Sequence, residues 1–262
     1  MMEIRGISIS QSAVLTGAEW DGFLAGLPAG IAFIEASGGM LPLKTAVRER
    51  IAAGRRFLAV RELLPGNFIR QARESGDRII SGLKESFIDC LRVAGEEGCL
   101  WAGGDFELDR IAEGDRGGLE TLQELLRCFY STVRDGGLRL MLDIRWPGSR
   151  KGPEWNRQLS FIMRNLTFPG IEFAVNAHVH EARAAENFPA LLDFLRAWRM
   201  RIGLVRFHYE PELGNVLSPR AVMSVASVLG ERGLECRLAA CPLLKDFSLL
   251  AGEAAGFAEL KE

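Results

Sequence analysis

The chain has only three histidines, His178, His180 and His208, and all of them stand at the ends of apolar runs beside other polar groups. In the run 138–145, Leu138, Leu140, Leu142 and Ile144 share one parity and Met141, Asp143 and Arg145 the other. In 171–178, Ile171, Phe173 and Val175 alternate with a set that ends in Asn176, His178 and, beyond it, His180. In 202–208, Val205 and Phe207 oppose Arg206, His208 and the following Glu210. Successive strand residues point to opposite faces, so three runs carry their polar groups on one face at one end. Imidazoles and a carboxylate gathered in this way can hold a divalent ion or move protons. Satisfied polar residues at strand ends would leave the same pattern.

Other run ends add Glu35 and Ser37, Arg61 and Glu62, and Asp105 and Glu107, and of an adjacent pair with opposite parity, such as Arg61 and Glu62, only one member can face inward. Glu35 has the parity of Phe33 and can enter the same mouth, or be a solvated loop acid. Arg61, Arg145 and Arg206 have planar forks suited to a phosphate or carboxylate, the alternative being an ion pair with an internal acid such as Asp143. Cys241, beside Pro242, reads better as a buried inert thiol than as a nucleophile. Gly103-Gly104-Asp105 lacks the glycine spacing of a dinucleotide site.

These groups need a scaffold that brings strand ends together. Eight short apolar runs recur, at 4–10, 30–37, 57–63, 100–106, 138–145, 171–178, 202–208 and 234–240, and helix-period segments separate them. Ile79, Leu83, Phe87 and Leu91 form one such helical stripe, and Ser218-Pro219 is a cap followed by a first-turn proline. Over 262 residues the repeat predicts one α/β domain spanning residues 1–262, a (β/α)8 TIM barrel, with a doubly wound open sheet as the runner-up. In a barrel, polar side chains point inward only near the C-terminal mouth.

Composition narrows the partners. With 48% apolar residues, a quarter charged and a net charge of -2, the chain suits a globular protein and offers no field for nucleic acid or an anionic membrane. Five scattered cysteines read as reduced thiols, and the N-terminus lacks a signal region, so a cytoplasmic location is expected.

The stretch 78–105, in particular Ser86 to Ala94, Glu97-Gly98 and Leu100 to Gly104, resembles the third helix and fourth strand of the xylose isomerase-like TIM barrels. That group includes sugar and sugar-phosphate isomerases and epimerases as well as endonuclease IV. The runs 138–145, 174–178 and 205–208 are similar to its fifth, sixth and seventh strands. The resemblance implies a divalent ion (Zn, Mn or Mg) held by Asp143, Asn176, His208 and, as a substitute acid, Glu210. It also implies that Asp143, His178 and His208 carry catalysis, and it assigns Arg145, Arg206, His180 and Glu35 to the substrate. The family's histidine ligand on the seventh strand aligns with Arg206 or His208, depending on a register of two residues.

Departures from the family pattern are specific. Asp143 stands for a glutamate, Asn176 for an aspartate, and the eighth strand, Leu238 to Cys241, has no acid where the family places its second acid/base. Two readings follow. One is a sugar or sugar-phosphate isomerase or epimerase, with or without metal assistance; the other is a catalytically inactive barrel that binds a small polar metabolite or a partner protein. Cleavage of damaged DNA, as in endonuclease IV, needs a histidine-rich multi-zinc site that three histidines do not supply. Such barrels often form homo-oligomers, although no stretch of the sequence marks an interface.

Overall fold

The structure, a computed structural model, describes residues 2–9, 16–40, 42–63, 68–74, 77–146, 153–178, 181–231, 235–244 and 247–260. Eight parallel strands close in chain order: β1 (Met2–Ser8), β2 (Ile31–Ser37), β3 (Phe57–Arg61), β4 (Trp101–Gly104), β5 (Arg139–Arg145), β6 (Ile171–His178), β7 (Ile202–Tyr209) and β8 (Glu235–Pro242). Pairing of β1 with β8, from Met2 opposite Glu235 to Ile7 opposite Ala240, seals the barrel and excludes the open sheet. All eight expected runs form strands.

Helices cover the outside: α1 (Gly17–Gly26), α2 (Thr45–Ala53), α3 (Phe68–Glu74), α4 (Asp77–Glu96), α5 (Leu108–Ala112), α6 (Arg116–Asp135), α7 (Pro153–Asn165), α8 (Glu181–Trp198), α9 (Pro219–Gly230) and α10 (Leu250–Glu259). Their ends follow local chemistry. Thr16 and Glu19 form a capping box at α1, the Ser218 hydroxyl accepts from the Ala221 N–H at α9, and Gly98 turns the chain toward β4 in a left-handed conformation. Phe87 and Leu91 of α4 and Leu122, Leu126 and Phe129 of α6 are buried against the outer face of the sheet. The side chains of Ile79 and Leu83 lie outside the described residues.

Inside the barrel the side chains form layers two residues apart, as the strand period requires. The lowest apolar layer takes one residue from each of seven strands, Phe33, Ala59, Trp101, Met141, Ala174, Leu204 and Ala239, with Ile4 of β1 packed against it. Below it the Arg237 guanidinium lies over Trp101 and pairs with Glu172. Two residues further along each strand stand Glu35, Arg61, Gly103, Asp143, Asn176, Arg206 and Cys241, with Ser8 from β1. Another step of two gives Ser37, Asp105, Arg145, His178 and His208 at the C-terminal rim.

The apolar floor is tight. Gly6 is paired with Phe33, and a Cβ on Gly6 would overlap the Phe33 ring, so the phenyl group lies flat against bare backbone. Gly6→Ala is therefore expected to cost roughly 1–3 kcal/mol by overpacking, measured as a lower denaturant midpoint with an unchanged slope. A neutral substitution would show that the ring has room to move.

Candidate active site at the barrel mouth

Arg206 occupies the centre of the middle layer and has no exposed surface. Its Nε and Nη2 donate to the two oxygens of Glu35 at 2.6 Å each, a planar fork closed on a carboxylate. Its Nη1 donates to Asp143 Oδ1 at 2.7 Å and Asn176 Oδ1 at 3.2 Å. Glu35 also accepts from Trp101 Nε1 at 3.0 Å and from the Ser8 hydroxyl at 2.8 Å. Burial by itself would raise the Glu35 carboxyl, but the facing Arg206 and Arg61 charges and these hydrogen bonds outweigh it and hold the group at about 2. Gly103 leaves space for the guanidinium, since a Cβ there would already stand 3.5 Å from Arg206 Nη2.

Arg61 extends the network toward β1 and β8. Its Nη1 donates to Ser8 Oγ and Cys241 Sγ, at 3.1 and 3.0 Å, and its Nη2 to Glu62 at 2.7 Å. Cys241 is fully buried, and burial pushes its thiol up despite the neighbouring arginines, so it is an inert thiol and not a nucleophile. Arg61 Nε and Ser37 Oγ are buried without hydrogen-bond partners. Each such orphan costs roughly 1–3 kcal/mol, which a polar ligand or water reaching them would recover.

His208 links the middle layer to the rim, because its Nε2 lies 3.0 Å from Asn176 Oδ1. A guanidinium only donates, so the Asn176 atom facing Arg206 is the carbonyl oxygen; the same oxygen then accepts from His208, whose proton sits on Nε2. Burial first, and then the Arg61 and Arg206 charges, push the imidazole down to about 3, so it is neutral. His178, exposed, is tilted over it with ring centroids 5.3 Å apart. Across the rim Arg145, mostly exposed, pairs with Asp105. Burial raises the Asp105 carboxyl to about 6 despite Arg145, and the nearby Asp143 charge adds to the rise.

The structure thus brings Asp143, Asn176, Arg206, His208 and Glu35 into one contiguous network, with His178 and Arg145 above it. His180 lies outside the described residues. Three assignments need correction. The divalent-ion set of Asp143, Asn176, His208 and Glu210 does not fit a metal: the Asn176 oxygen and one Asp143 oxygen already accept from a guanidinium, whose charge would repel a second cation. Glu210 opens the short turn Pro211–Leu213 and, among the described residues, has no hydrogen bond or ion pair to the network. Nor is any group of three or more His, Cys, Asp or Glu placed to hold an ion among them. Arg206 and Glu35 are not substrate grips, since each is fully buried and spends its fork on the other. Arg206 shares the layer of Asp143 and Asn176, and His208 lies one step above.

Asp105 stands among the polar run ends in the sequence without a role of its own. The signal was present, since Trp101 faces inward and Asp105 has its parity, but the intervening glycines gave no alternation to read.

The closed eight-stranded barrel has the xylose isomerase-like (β/α)8 fold, and solved structures of that fold align along nearly the whole chain. A D-psicose 3-epimerase from Clostridium cellulolyticum H10, with D-tagatose, is similar at a TM-score of 0.69 and 10% identity, covering 97% of this chain and 98% of that one. A 3-keto-D-glucoside 4-epimerase from E. coli aligns at 0.64 and 12%, covering 98% and 99%. A family 2 AP endonuclease from Brucella melitensis aligns at 0.60 and 17%, covering 99% and 100%. No family model and no curated protein matches the sequence.

The buried neutral imidazole has a measurable consequence. An unfolded histidine takes up its proton near pH 6.5 and the folded one only near 3, so stability is complete above 6.5 and falls as pH drops through that window. Between pH 6.5 and 5 His208 alone should remove roughly 2 kcal/mol. Asp105, raised in the folded state, acts in the opposite sense below pH 6. His208→Gln is expected to lose the histidine component in denaturant melts at pH 5, 6 and 7, whereas an unchanged slope would mean that the imidazole charges inside the fold.

Proposed function

We propose that the barrel is a sugar or sugar-phosphate isomerase or epimerase that works at its C-terminal rim, with Asp105 and His178 as proton carriers on either side of the substrate and His208 beneath His178. The observation that carries this reading is Asp105, a mostly buried carboxyl at about 6, near the working pH where a general base is most effective. Asp143, beneath it, tunes that group, and neutral His208 offers hydrogen bonding without charge. Arg145, largely exposed, is the group for a substrate phosphate or carboxylate. The epimerase names of the similar structures favour a polyhydroxy carbonyl substrate. The five free cysteines suit the cytoplasm, and among the described residues no helix is long and apolar enough to cross a membrane.

A second reading has its own support. The eighth strand ends in buried Cys241 and Pro242, with no acid among its last four residues, and the unsatisfied Arg61 Nε and Ser37 Oγ suit the uptake of a polar ligand that is held without being turned over.

Solvent deuterium separates the two. A panel of ketoses, aldoses and their phosphates in heavy water should show exchange at one substrate carbon, with kcat/KM rising through pH 6 as Asp105 ionises and then levelling. Asp105→Asn should lower the rate by roughly 10²- to 10⁴-fold and abolish the pH step. Thermal stabilisation by a sugar with no exchange of any carbon-bound proton would decide for the binding reading.

A further inference from the structure

We propose that the Arg206 guanidinium is a resident cation standing where a divalent metal ion would otherwise bind, and that Glu35, Asp143 and Asn176 form a latent metal cage. Three oxygen-bearing side chains from β2, β5 and β6 converge on one positive group, at donor distances of 2.6 to 3.2 Å. That is the arrangement hard oxygen donors take around a cation, with the charge delivered here by the chain itself.

Charge balance supports the assignment. In the dry layer two carboxylates, Glu35 and Asp143, close on the single guanidinium of Arg206, while the Arg61 charge acts on Glu35 and pairs with Glu62. An aspartate at 176 would put a third carboxylate around Arg206, and position 176 holds the neutral amide. The space is arranged to match. Gly103 removes the one side chain that β4 would place in this layer, and the guanidinium lies against that gap. Arginine at 206 therefore comes with three accommodations on three other strands: a fork-matched carboxylate at 35, a neutral acceptor at 176 and bare backbone at 103.

Removing the guanidinium should leave two carboxylates facing an empty, dry cavity, a strong demand for another cation. The experiment follows Mn2+ by EPR and unfolding by thermal melts for wild type, Arg206→Ala and Arg206→His. Wild type should leave Mn2+ free and melt identically with or without EDTA. Arg206→Ala should bind Mn2+ at least roughly tenfold more tightly than wild type, and Asp143→Asn in that background should abolish the gain. Methylguanidinium should raise the melting temperature of Arg206→Ala and not of wild type, a rescue that mere loss of packing would not show. Should Arg206→Ala fail to fold, Arg206→His, which keeps a side chain in the cavity, carries the same expectation. The proposal is overturned if wild type binds Mn2+ in a way that Asp143→Asn abolishes, or if neither variant folds and binds Mn2+ when the ion is supplied. Neither result depends on whether a sugar is turned over, so this inference and the isomerase reading can fail separately.

Discussion

The ion network of Arg206 with Glu35 and Asp143 is the constraint around which the upper half of the barrel is organised. Burying a guanidinium and two carboxylates away from water costs several kcal/mol per ion, and only close, fully hydrogen-bonded pairing offsets it. That demand explains details that look unrelated along the chain. Trp101 turns its Nε1 to Glu35, Ser8 lends its hydroxyl, Asn176 gives up a charge, and Gly103 gives up a side chain. Loss of any one charged member would strand the others, so the network defines the register of β2, β5, β6 and β7 as firmly as the apolar layer beneath it does.

The layers also assign tasks. The floor of Phe33, Trp101, Met141 and their neighbours excludes water from below, which strengthens every charge interaction in the layer above. That middle layer in turn sets the behaviour of the rim: Arg206 and Arg61 keep His208 neutral, and Asp143 helps to hold Asp105 near neutrality. Electrostatic influence thus runs upward, from a sealed floor through a self-neutralised plug to groups that meet solvent.

Much of this was legible in the sequence because strand parity is local. The eight apolar runs became the eight strands, and the inward facing of Asp143, Asn176, Arg206 and His208 followed from alternation alone. What alternation cannot supply is the partner across the barrel. Glu35 and Arg206 are 171 residues apart, and nothing near either one announces that they share a fork. An inward carboxylate and an inward arginine therefore read equally well as metal ligand and substrate grip or as a closed pair, and only the register of eight strands decides between them. Asp105 was obscured for a simpler reason, since Gly103 and Gly104 carry no side chains from which a facing can be read.

The closed pair also relocates whatever chemistry the barrel performs. In a layer where four of the five guanidinium N–H groups of Arg206 are engaged, little is left to polarise a substrate oxygen. The layer above holds Asp105 paired with Arg145 and His178 tilted over His208. There the balance is delicate, because Asp105 is buried yet supported by one largely exposed arginine. A ligand that drew Arg145 away would leave burial and the Asp143 charge favouring the protonated form of Asp105, against the Glu107 N–H that its carboxylate accepts. An anionic substrate would thus shift the pH at which Asp105 ionises, coupling recognition of the anion to the state of the acid.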